Sequence, residues 1–122
     1  MVILKFCAEE VTRQGDGPME VFHLYVAWDQ AVEWYKAGET LTVEMIARLG
    51  ALALPNMNPH GFRSVNVQVG NHFAPDAGEV PHLLNELLCV YHETNIEPWE
   101  IYQEFEKIHP FRDGNGRIGK II

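Results

Sequence analysis

The residues most suited to chemistry lie together near the C-terminal end, in the run His109-Pro110-Phe111-Arg112-Asp113-Gly114-Asn115-Gly116-Arg117-Ile118-Gly119-Lys120. Gly114, Asn115 and Gly116 let backbone N–H groups converge without side-chain obstruction. A helix starting there adds its positive end, so the segment reads as a cradle for an anion such as phosphate. Asp113, just before the cradle, is a hard oxygen donor of the kind magnesium takes from protein while phosphate and water complete its shell. Arg117 and Lys120, three residues apart, fall on one face of the expected helix and can neutralise further phosphate charge. His109 adds a group that titrates near neutrality at the edge of the same loop.

Three other readings compete. Asp-Gly and Asn-Gly pairs are common in hairpin turns, so the run could join two strands. Asp113-Gly114-Asn115 also matches the opening of a calcium loop, but Arg117 and Ile118 stand where a ligand and a glycine are needed. Gly114 to Lys120 fits G-x-x-x-x-G-K, yet Ile121 follows where Ser or Thr belongs, and the preceding pattern is helical rather than extended.

Several elements must position this run. Residues 2–6 predict a short strand, followed by a turn-like Gly15-Asp16-Gly17-Pro18. From Glu20 to Ala37 the positions Val21, Leu24, Tyr25, Trp28, Val32 and Tyr35 recur at helical spacing, and Gly38 ends the element. The stripe Tyr25, Trp28, Tyr35 reads as packing in preference to a cofactor pocket. Thr40 or Thr42 starts a second helix carrying Val43, Ile46, Leu49 and Leu52, stopped by Pro55. Phe62 to Val69 alternates, with Val65, Val67 and Val69 on one side, and predicts a strand that turns at Gly70-Asn71 into a short return strand at His72-Phe73. Pro81 opens a third helix with Leu83, Leu84, Leu87, Leu88 and Tyr91 inward. Pro98 opens a fourth with Ile101, Tyr102, Phe105 and Ile108.

A chain of 122 residues, 47% hydrophobic, suffices for one core and one domain spanning 1–122. A formal net charge of −8 argues against a nucleic-acid partner, which needs clustered cations. Cys7 and Cys89 are too far apart in sequence, and too isolated from histidines, to suggest a zinc site or a disulfide framework. Val2-Ile3-Leu4 is interrupted by Lys5 and is neither a signal nor a membrane span, so a cytoplasmic protein with no membrane association is expected. His23, His60, His72, His82 and His92 share no metal spacing. The acids Glu93, Glu97, Glu100, Glu104 and Glu106 read as a solvated helix face.

The C-terminal run resembles the signature of the Fic family, H-x-F-x-[DE]-G-N-G-R-x-x-R. His109, Phe111, Asp113, Gly114, Asn115, Gly116 and Arg117 meet its positions, and Lys120 replaces the last Arg. Phe62-Arg63-Ser64-Val65-Asn66-Val67 resembles the hairpin, or flap, that precedes the signature, and Val80-Pro81-His82-Leu83-Leu84 resembles the helix after the flap. The resemblance covers roughly residues 40–122. It implies a mainly α fold, a Fic-like helical bundle with one small β-hairpin. It also implies an enzyme that transfers AMP from ATP, with magnesium, to a hydroxyl of a target protein. His109 would be the general base, Asp113 the magnesium ligand, and Gly114, Asn115, Gly116, Arg117 and Lys120 the nucleotide-binding residues. Phe111 would anchor the loop in the core, and Phe62 to Val67 would dock the target segment as an added strand. Relatives that transfer other groups, and a non-catalytic nucleotide-binding module, are the alternatives. Many relatives carry a self-inhibitory [ST]-x-x-x-E-[GN] pattern. Its nearest match here, Thr40 to Met45, is broken by Met45, which leaves a separate antitoxin, or an inhibitory element outside this chain, as the expected inhibitor. A homo-oligomer, or further C-terminal sequence, is expected to complete a final helix that ends two residues after the signature.

Overall fold

The computed structural model describes Cys7 and residues 18–69, 72–94, 97–112 and 115–121. Helices α1 (Pro18–Lys36) and α2 (Val43–Ala53) precede a short ribbon of β1 (Gln68–Val69) and β2 (His72–Phe73). A single 3-10 turn at Ala77–Glu79 leads into α3 (Val80–Glu93), α4 (Pro98–Ile108) and α5 (Asn115–Ile121). The expected mainly helical bundle with one small hairpin is the fold observed. The strand expected at 2–6, the Gly15–Gly17 turn and the Gly70-Asn71 turn lie outside the described residues.

Gly38 ends α1 as expected, at φ 76. The Glu39 N–H reaches back to the Trp34 carbonyl at 3.0 Å and the Gly38 N–H to Tyr35 at 3.1 Å, the paired bonds that satisfy the last carbonyls of a helix. The buried face of α1 is a correction to the aromatic stripe. Leu24 and Ala27 are buried, with Val21, Ala31 and Trp34 packed beside them, whereas Tyr35 is 85% exposed and Tyr25 is also at the surface. The helix packs on α2, and its inward face includes the small residues Ala27 and Ala31, which a count of large apolar residues overlooks.

Thr42 caps α2, its Oγ1 accepting from the Met45 N–H at 3.2 Å, and Ile46, Leu49, Gly50 and Ala53 face the core. Pro81 and Pro98 occupy the first turns of α3 and α4, where a missing N–H costs nothing. Val80, Leu84, Leu87 and Leu88 are buried on α3, and Tyr91, expected inward, is exposed. Ile101, Phe105 and Ile108 form the buried face of α4.

The strand expected over Phe62–Val69 is corrected to Gln68–Val69. It pairs antiparallel with His72–Phe73, Gln68 opposite Phe73 and Val69 opposite His72. Residues 62–67 are irregular because their hydrogen bonds run elsewhere. The Arg63 N–H donates to the Pro110 carbonyl at 2.9 Å, and the Asn66 Oδ1 accepts from the Ala77 N–H at 2.8 Å. Val65, expected on a shared strand face, is 50% exposed.

The seven-residue α5 packs against α1, α2 and α4, with Ile118 completely buried. The signature helix is thus central to the core rather than a loosely held end. Among the described residues, no helix is long and apolar enough to cross a membrane.

Candidate active site

The site is built at the junction of α4 and α5. His109 is the C-cap of α4 in the left-handed region (φ 50, ψ 61), and its N–H donates to the Phe105 carbonyl at 3.0 Å. A non-glycine residue there is sterically disfavoured, so its surroundings must hold it. The backbone reverses at this point, leaving the half-buried imidazole at the head of the loop that leads into α5.

Phe111 anchors that loop, as expected. Its side chain is completely buried, with ring centroids 5.5 Å from Phe62 and 6.4 Å from Phe105. The same ring lies directly over Gly50 of α2, where any β-carbon would collide with it.

Asn115 closes the loop. Its Oδ1 accepts from the Phe111 N–H and its Nδ2 donates to the Phe111 carbonyl, both at 2.8 Å and both buried. This corrects the expectation that the Asn115 side chain meets phosphate. Both polar atoms of its amide are thereby taken up by the Phe111 backbone. Asp113 and Gly114 lie outside the described residues, and Gly116 falls within the first turn of α5.

Arg117 and Lys120 both sit on α5, in different environments. Arg117 is 2% exposed and Lys120 is exposed. Lys120 borders an open depression of about 550 Å³ lined also by Pro98, Trp99, Tyr102, Gly119 and Ile121. Trp99 and Tyr102 stack there with centroids 5.7 Å apart.

Two residues in the flap stand corrected. Phe62 packs on Phe111 at the core, and Arg63 is 5% exposed, so neither presents a side chain for docking. Arg63 Nε donates to the His109 carbonyl at 2.6 Å and Nη2 to the Ile108 carbonyl at 3.2 Å, while Nη1 reaches Val65 at 2.9 Å. Nη2 also donates to the Pro75 carbonyl at 2.5 Å. A planar fork of donors suits this divergent set of carbonyls. Burial pushes the guanidinium pKa down, and Asp76 opposes the shift. Ser64, Val65 and Asn66 remain at the surface, although Asn66 is tied at the base of the flap to Ala77 and Asp76. Val67 is half-buried, its carbonyl accepting from Ala74 at 3.1 Å.

Glu106 is a further correction. Glu93, Glu97, Glu100 and Glu104 lie on the solvated surface as expected, but Glu106 Oε1 is buried with no hydrogen-bond partner. Burial raises its carboxyl above the ordinary value, with Lys120 pulling the other way. Neither Glu106 nor the strut at Arg63 was visible as special, since one charge among many carries no local sign of burial. Among the described residues, no group of three or more His, Cys, Asp or Glu side chains is arranged to hold a metal ion.

The Fic/DOC family model matches residues 40–122, from the residues leading into α2 to the end of the chain. The chain belongs to the Fic/DOC family. It is similar to a Fic family protein from Desulfovibrio desulfuricans G20, whose crystal structure aligns with a TM-score of 0.68 at 26% identity. That alignment covers 98% of this chain, including the α1 region that the family match omits, and 43% of the relative. No protein of curated function matches the chain.

Proposed function

We propose that this Fic/DOC chain is a protein adenylyltransferase, moving AMP from ATP to a Ser, Thr or Tyr hydroxyl of a target protein. The observation that carries the reading is the double lock on the signature loop, by Asn115 on the Phe111 backbone and by Phe111 on Gly50. It fixes the Phe111 and Asn115 ends of the segment that joins an imidazole at His109 to a buried cation at Arg117. Reactions of this type draw their acceleration mainly from fixed geometry and electrostatics.

In this reading His109 takes the proton of the acceptor hydroxyl as its oxygen attacks the α-phosphorus. The new P–O bond replaces the bond to the bridging oxygen of pyrophosphate, which departs with its charge met by Arg117 and Lys120. The backbone of Gly114 to Gly116 cradles the phosphates. The Asp113 carboxylate suits magnesium by its donor chemistry; the ion, when bound with ATP, neutralises phosphate charge. Lys120 offers a point charge in place of the bidentate fork of an arginine, so its hold on the terminal phosphate is less directional. Ser64 and Val65, with the exposed Phe73 on β2, form the surface on which an extended target segment adds to the flap. Cys7 and Cys89 form no disulfide, which is consistent with ATP chemistry in the cytoplasm. A separate antitoxin-type inhibitor fits a chain whose Thr40–Met45 segment lacks the inhibitory pattern.

The test is transfer of label to cell-lysate protein from ATP labelled at the α- or the γ-phosphate, with magnesium, by wild type and His109→Ala. Label passing only from α-ATP, and falling ~10²–10⁴-fold in the variant, is the expected result. Transfer from γ-ATP alone replaces the proposal with phosphorylation, and retention of ATP binding without any transfer replaces it with a binding module.

A further inference from the structure

Arg63 holds together pieces of chain that are far apart in sequence. Its guanidinium donates to carbonyls on three segments: Ile108 and His109 at the end of α4, Val65 where the chain enters the flap, and Pro75 where it leaves. Its backbone N–H reaches Pro110, so His109 is bracketed on both sides by contacts from one residue. The Ile108 and His109 carbonyls are among those left without partners by the end of a helix, and a buried helix end requires donors from elsewhere.

The contact bears directly on the imidazole. His109 adopts a left-handed backbone conformation that other residues disfavour, and such conformations persist where surrounding contacts over-determine them. Nε of Arg63, at 2.6 Å, fixes the direction of the His109 carbonyl and with it the orientation of the backbone that carries the ring. Because the same fork grips both stems of the flap, a displacement of the flap stems moves the guanidinium and so the His109 carbonyl. The surface tie between Asn66 and the Ala77 N–H at 2.8 Å steadies these stems from the outer side.

We propose that Arg63 is a positioning residue that sets the orientation of His109 and couples it to the flap, so that engagement of a target segment is sensed at the base. This rests on His109 serving as base in the proposed transfer. Lysine would keep the charge but could not serve four divergent carbonyls as the planar fork does.

The experiment compares full-length wild type with Arg63→Lys, following folding by circular dichroism and AMP transfer by kcat and KM for ATP. The imidazole and backbone NMR shifts of His109 are read in parallel. In a folded Arg63→Lys protein, kcat is expected to fall on the order of 10²-fold, the scale of a misplaced reacting group, with KM for ATP little changed. The His109 shifts move. A folded variant with wild-type kcat and unmoved His109 shifts overturns the assignment. Should wild type transfer no AMP, the transfer reading falls on its own, and the His109 shifts alone decide the role of Arg63. If Arg63→Lys fails to fold, Asn66→Ala decides: it loosens the flap base at the surface, is expected to move the same His109 shifts, and overturns the coupling if it does not.

Discussion

Asn115, Arg63 and Glu106 show how much of the polar chemistry around the signature is spent on backbone or enclosed by protein. Asn115 closes the loop on Phe111, and Arg63 serves carbonyls of α4 and the flap. Glu106 has no such use, and the consequence is a pH-dependent stability. Its folded pKa is raised above the ordinary 4.5 by burial, with Lys120 only partly offsetting the shift. A raised carboxyl favours the fold while it is protonated, below its unfolded pKa, and loses that contribution as pH rises through the folded value. Glu106→Gln is therefore expected to raise the unfolding midpoint at pH 7, with the gain fading as pH falls through the raised folded value and gone once pH is below 4.5. Thermal melts of the two proteins across that range check it; a variant less stable than wild type at pH 7 refutes the sign. His109 and Arg117 could be singled out as candidates from sequence because an imidazole, a carboxylate, small residues and cations recur there at the spacing of a family signature. The bonds of Asn115 to the Phe111 backbone were not legible, since a side-chain amide bonds backbone as readily as phosphate.

The helix starts followed local chemistry closely. Thr42 caps α2, and prolines open α3 and α4, because these effects act within a single turn. The inward face of α1 and the length of β1 were misread because both are set by distant partners: α2 for the helix face, Pro110 for the Arg63 backbone and Ala77 for the Asn66 side chain. Tertiary contacts override alternation in this way. A close contact joins α2 to the loop after α4, where the Phe111 ring covers Gly50. Gly50→Ala sets two effects against each other. Alanine favours the helix by about 1 kcal/mol, while forcing a β-carbon into a ring packed between Phe62 and Phe105 costs about 1–3 kcal/mol. The ring has little freedom to swing away, which puts the cost in the upper part of that range, at about 2–3 kcal/mol, so net destabilisation of about 1–2 kcal/mol is expected in urea unfolding. An unchanged or higher midpoint would show that the loop can shift off α2.

At the scale of the whole molecule, the net charge of −8 on 122 residues sets a self-repulsion that unfolding relieves. Raising salt from a few millimolar to about 0.3 M, where the Debye length is well under 10 Å, is expected to raise the melting temperature. A lower melting temperature in salt would mean that attractive surface pairs such as Lys107–Glu104 outweigh the repulsion. The single helical bundle was legible in the spacing of its apolar residues; the central burial of α5 was not, because its seven residues show too little periodicity to reveal a face. The left-handed backbone at His109 has a consequence for any stabilised version of this chain. Fitting each residue type to its backbone angles would select glycine at 109, a change favoured by about 1 kcal/mol on backbone grounds. On backbone grounds alone the preferred sequence lacks the imidazole, so under the proposed transfer, selection for robustness alone would turn the chain into a silent copy of itself.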